Sequence, residues 1–139
     1  MRAILPLVLI FTAVFAQAEE AVVGAHLDIE LNAAAQTDAG CQLSFLIING
    51  HEQDIAKAVF ETVLFDSSGT VMQMTLFDMG ELPAASPRVR QFVLPDLACE
   101  GLGQVLFNGT QVCHADGVEG NACIDGLTLH SRTSIKVQG

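Results

Sequence analysis

A side-chain period of two runs through most of this chain, and no other feature restricts its fold as much. Leu127, Leu129, Thr133, Ile135 and Val137 alternate with Thr128, His130, Arg132, Ser134 and Lys136. Successive side chains of an extended backbone point to opposite faces, so such a pattern predicts a strand with one face buried and one in water. By the same rule Leu27, Ile29 and Leu31 set against His26, Asp28, Glu30 and Asn32 predict a first strand. Cys41, Leu43, Phe45 and Ile47 form one face of a second, ending at Asn49-Gly50.

A third strand, from about Ala58 to Asp66, is apolar on both faces apart from Glu61 and Thr62, which suits the centre of a sheet. Asp66-Ser67-Ser68-Gly69 is a tight turn into a fourth strand, Thr70 to Asp78. A loop over 80–87 leads to a fifth, Val89 to Leu94, which Pro95 ends. Val105 to Phe107 then turns at Asn108-Gly109 and returns through Val112. Only Ala33-Ala34-Ala35-Gln36 suggests a helical turn. About seven short strands predict an all-β fold: a seven-stranded antiparallel immunoglobulin-like sandwich, with a small closed barrel as the alternative.

Residues 1–18 read as a signal peptide: Arg2, an apolar run from Ile4 to Phe15, and the small-x-small triplet Ala16-Gln17-Ala18 before Glu19 and Glu20. The apolar run is shorter than the roughly 20 residues that span a bilayer, and no cysteine follows it for lipid anchoring. Residues 19–139, 121 in number, form the expected sandwich domain. The expected location is periplasmic or secreted. Five basic side chains then face 16 acidic ones, so phosphate backbones and anionic lipid surfaces are poor partners.

Cys41, Cys99, Cys113 and Cys123 make an even count, which favours bridges in an exported chain. Cys113 and Cys123 bracket a Gly-rich segment that a local bridge would tie down, which leaves Cys41 to pair with Cys99. In a seven-stranded sandwich the second and fifth strands are antiparallel neighbours, which brings those two cysteines to the same end. The absence of Cys-x-x-Cys argues against both zinc and thioredoxin-type chemistry.

GluThrValLeuPheAspSerSerGlyThrVal (61–71), GlyGluLeuPro (80–83) and GlnPheValLeuPro (91–95) occur in an order that resembles small bacterial immunoglobulin-like domains. CysGlnLeuSerPhe, ArgValArgGlnPhe, LeuAlaCys and a closing SerArgThr resemble short uncharacterised exported proteins of alphaproteobacteria. That resemblance implies a fold and a compartment, and no mechanism.

No Gly-x-Ser-x-Gly elbow is present. Met72 and Met74 share a strand face, and thioethers with one of His26, His51, His114 or His130 are copper ligands outside the cytoplasm. Leu76 continues that face, so core filling is the favoured account of the methionines. Asp116, Glu119, Asn121 and Asp125 carry oxygen ligands without EF-hand spacing. Asn108-Gly109-Thr110 matches a glycosylation sequon but is read as a turn. Arg88 and Arg90 lie on one face of the fifth strand, where they either pair internally and guard an edge or read an anionic group on a partner. Val59, Val63 and Phe65 alternate with Phe60 and Leu64, so one of these sets needs a cover from a second sheet or another chain. The expected function is a non-catalytic periplasmic binding or accessory module with a protein partner and no cofactor. Copper binding through Met72 and Met74 is the alternative.

Overall fold

The computed structural model describes residues 23–139, so the expected signal peptide lies outside the described residues. Eight strands follow one another: β1 (Leu27–Thr37), β2 (Gly40–Asn49), β3 (Ile55–Asp66), β4 (Val71–Leu82), β5 (Arg88–Pro95), β6 (Leu102–His114), β7 (Thr128–Ser131) and β8 (Lys136–Gln138). A single 3₁₀ turn, Cys99–Gly101, separates β5 from β6. The strands form two four-stranded sheets, ordered β5-β2-β1-β7 and β4-β3-β6-β8.

The core between the sheets is built by the alternating residues. Leu27, Ile29 and Leu31 of β1, and Cys41, Leu43, Phe45 and Ile47 of β2, are all fully buried. Phe60, Leu64, Phe77, Val105 and Phe107 meet them from the other sheet. Phe45 lies 5.5 Å from Phe77 and 6.0 Å from Phe107, while Phe77 stacks on Phe92 at 4.5 Å. Aromatic pairs at such separations each add about 0.5–1.5 kcal/mol beyond the burial of their area.

The central position of β3 follows its two-sided apolar pattern, with β4 on one side and β6 on the other. β2 and β5 pair antiparallel, with Cys41 opposite Leu94. Both bridges are present: Cys41–Cys99 at that end and Cys113–Cys123 at the end of β6. Gly40 has φ 145°, and a Cβ there would stand 2.0 Å from the Leu94 carbonyl oxygen, so glycine permits the close approach of β2 to β5.

Five expectations need correction. The cleanest alternation, Leu127 to Val137, is two strands in different sheets, which raises the count to eight. The Thr133 amide donates to Ser131 Oγ and the Ile135 amide to Thr133 Oγ1. These hydroxyls replace the sheet ladder over 133–135 and let the chain reverse from one sheet to the other while keeping its alternation. The fold is therefore not wholly antiparallel, since β7 runs parallel to β1 and β8 parallel to β6.

Asn108-Gly109 makes no hairpin. β6 runs straight through it, with Gly109 opposite Glu61 and one-residue register slips on either side. A two-residue hairpin turn of the Asn-Gly kind needs positive φ at both residues, and neither has it. Ala33 to Gln36 belong to β1, where pairing with β2 supplies the hydrogen bonds that a lone helical turn would lack. β4 also continues through Gly80 to Leu82, residues expected in a loop.

Candidate interaction surface

β4 is a terminal strand with an unusual distribution of burial. Phe77, Met79 and Leu82 point inward and are buried. Met72, Met74 and Leu76 point outward and are 43%, 63% and 47% exposed, and Val71 beside them is 56% exposed. The methionines therefore do not fill the core, contrary to expectation. Met79 alone of the three at this strand does so.

Next to β4, the core takes Phe60 and Leu64 of β3, and this leaves Val59, Val63 and Phe65 on the outer face. Met74 stands opposite Val63, and Val63 opposite Leu106 of β6, which makes an apolar row across three strands. Phe65 lies between Val71 and Gln104. Among the described residues β4 and β6 are the elements in substantial contact with β3, and Val59 and Val63 lie outside the core cluster. Val63 is only 7% exposed although it lies outside the core between the sheets. From Ser67 through Phe77 the sequence holds no charged residue, although the chain carries net charge −10.

The outer face of the other sheet differs. Gln91 Nε2 donates to Ser44 Oγ at 2.9 Å, and Val89 and Val93 are exposed singly among such polar groups. Toward β7, Asp28 Oδ1 accepts from His130 Nε2 at 2.5 Å and from the Thr128 hydroxyl, and Arg132 Nε donates to Glu30 at 3.0 Å. The threonine hydroxyl donates to the carboxylate, not to the imidazole. The group staples β7 to β1 and does not form a nucleophile–base relay. Hydrogen bonds from Asn32 and then Arg132 hold the Glu30 carboxyl below its ordinary value.

Arg88 and Arg90 lie on the inward-leaning face of β5, an edge strand. Arg90 reaches across to the other sheet: Nε donates to the Met79 carbonyl at 2.7 Å and an Nη to that of Glu81 at 2.9 Å. Gly80, between those carbonyls, has φ 66°. Arg88 donates locally, to Ser86 Oγ and the Pro87 carbonyl. The Arg90 fork is thus occupied by backbone oxygens of its own chain, and acidic side chains are not its partners.

His51, His114 and His130 lie away from Met72 and Met74. His114 pairs with Lys57, six residues along β3 from the partner of Met74, or roughly 20 Å at ~3.3 Å per residue. His51 is buried near that same end and donates Nε2–H to the Ala122 carbonyl, and His130 is bound to Asp28. In the 116–125 loop, Asp125 accepts from the Asn121 amide, whose side chain in turn accepts from Cys123 and donates to Thr110. Among the described residues no group of three His, Cys, Asp or Glu side chains is placed to hold a metal ion. A shallow cleft of about 580 Å³ opens beside β6, lined by Phe107, Thr110, Asn121, Ile124, Leu127 and Leu129, without a charged side chain among its walls.

The exposure of Val71 and Leu76 was the part that sequence reasoning missed. The uncharged run from Ser67 to Phe77 in so acidic a chain was the signal available for it. No family model, no curated protein and no solved structure matches the chain.

Proposed function

We propose that this chain is a non-catalytic binding module of the periplasm or the secreted fraction, which engages a protein through the outer face of the β4-β3-β6-β8 sheet. The observation that carries the reading is the exposed group Val71, Met72, Met74 and Leu76 on β4, continued across the sheet by the apolar Val63 and Leu106, with no element over it among the described residues. Contiguous exposed apolar surface costs solubility and is kept where something covers it. Two disulfides are compatible with an oxidising compartment outside the cytoplasm. Pairing of the second strand with the fifth, and of the third with the sixth, supports an immunoglobulin-like sandwich.

Site-specific photo-crosslinking in the native cell envelope tests this. Phe65 is replaced by p-benzoylphenylalanine, a close analogue, and Val89 on the opposite sheet is replaced likewise as control. A discrete adduct with a different protein from position 65, absent from position 89, is expected. Equal labelling from both positions, or none from either, refutes the reading.

A further inference from the structure

We infer that the open half of the β4 edge, Val71 to Asp78, pairs antiparallel with the same edge of a second copy of this chain across a two-fold axis. This goes beyond the binding reading, which concerns the face of the sheet, because here the contact is the backbone of its terminal strand.

A sheet edge with free backbone groups is a template for another strand, and folds protect such edges with charge, proline, shortness or cover. Three of the four edges here carry one of these. β7 and β8 are four and three residues long and are joined to each other across 132–135. β5 carries Arg88 and Arg90 and ends in Pro95. On β4, Arg90 takes the Met79 and Glu81 carbonyls, which blocks only the second half of the strand. Val71 to Phe77 has no proline, no charge and, among the described residues, no strand on its free side.

Charge selects the occupant. Sixteen acidic residues against six basic ones make two copies repel over most of their surface. The Ser67–Phe77 run is where they meet without opposed charges, and it offers a cationic strand nothing to read. The edge is also self-complementary. Antiparallel pairing centred on Thr75 sets Thr75 opposite Thr75, Met74 opposite Leu76 of the second copy, and Met72 opposite its Asp78. Opposed residues share a face, so Met72, Met74 and Leu76 of both copies merge into one outer patch, and no carboxylate faces another. The product is a continuous eight-stranded sheet with the binding face doubled.

Sedimentation velocity of the oxidised protein from about 1 to about 200 µM, at about 0.05 and 0.5 M NaCl, tests this. The mass is expected to rise from one chain to two, at lower concentration in the higher salt because salt screens the net repulsion. The double variant Met74→Lys/Leu76→Lys opposes lysines twice across the axis and is expected to raise the dissociation constant by roughly 100-fold. Val89→Lys/Val93→Lys changes the net charge equally and leaves the dimer intact. Because Met74 and Leu76 are exposed, far-UV circular dichroism of the first variant stays that of the parent. A monomer throughout, or a dimer that survives Met74→Lys/Leu76→Lys, overturns the inference. So does capture of β4 by a strand of another protein in preference to its own copy. A monomer leaves the Phe65 crosslink, and the binding reading with it, untouched.

Discussion

Removing the two bridges separately is expected to cost unequal amounts, and the loop lengths set the difference. Cys41–Cys99 spans 58 residues of sequence and Cys113–Cys123 spans 10. In the chain-entropy model a cross-link removes freedom from the unfolded ensemble as the logarithm of the loop it closes. That gives about 4.2 kcal/mol for the long loop and about 2.7 kcal/mol for the short one at 25 °C. Each bridge joins one fully buried cysteine, Cys41 or Cys123, to a half-buried one, so the packing lost in Cys→Ala pairs largely cancels between them. The expected gap is therefore about 1.5 kcal/mol, with Cys41→Ala/Cys99→Ala the weaker protein. At ~4 °C per kcal/mol for a domain of this size, their melting temperatures should differ by about 6 °C. Urea denaturation of both double variants and the parent, extrapolated to zero denaturant, measures it. Equal losses, or a larger loss for Cys113→Ala/Cys123→Ala, would show that the bridges act through native strain or local packing and would refute the loop-length argument.

Two further outcomes follow from side-chain hydrogen bonds. Arg90→Ala removes the fork that ties β5 to the Met79 and Glu81 carbonyls and is expected to cost about 1.5–3 kcal/mol. Arg90→Lys restores part of this, since an ammonium does not span both oxygens in a fixed plane; chemical denaturation of the two variants reads the order. Glu30 is held below the ordinary carboxylate value of 4.5 by hydrogen bonds from Asn32 and Arg132. Its folded pKa lies below its unfolded one, so its stabilisation is complete above the unfolded value and is lost as pH falls through the folded one. Glu30→Gln should flatten that part of the acid limb of the stability curve, and carbon NMR titration of the Glu30 carboxyl should show its midpoint rise in Arg132→Ala.

Alternation carried most of the fold into view. Leu27-Ile29-Leu31 and Leu43-Phe45-Ile47 were legible because each strand has one wet and one dry face. The order of those strands also placed Cys41 by the end of the fifth strand and left one natural pairing for the four cysteines. Alternation names a face but not a sheet, and Leu129 and Val137 both pack against the core although their strands belong to opposite sheets. Asn108-Gly109 misled because the turn preference of that dipeptide is local, whereas the whole length of β3 was available to hold β6 extended. Met72 and Met74 were assigned to the core by hydrophobicity alone. Residue type cannot report that β4 is terminal, which depends on where β5 goes, and β5 crosses to the other sheet.

That crossing is repeated along the chain, and it bears on how the domain assembles. β1 and β2 lie in one sheet, β3 and β4 in the other, and from β5 onward every strand changes side. Neither sheet is a contiguous stretch of chain, so neither can be completed while the other is missing. β1 must wait for β7, with Asp28 and Thr128 brought together across 100 residues. Closing contacts that distant spends entropy before it returns any, which puts the search time in the milliseconds-to-seconds range of all-β domains. Until β6 arrives, β3 and β4 stand as a hairpin open on both sides, and the uncharged β4 edge is as ready to pair with a neighbour's as it is in the finished fold. The acidity of the rest of the chain keeps unfinished copies apart during that interval.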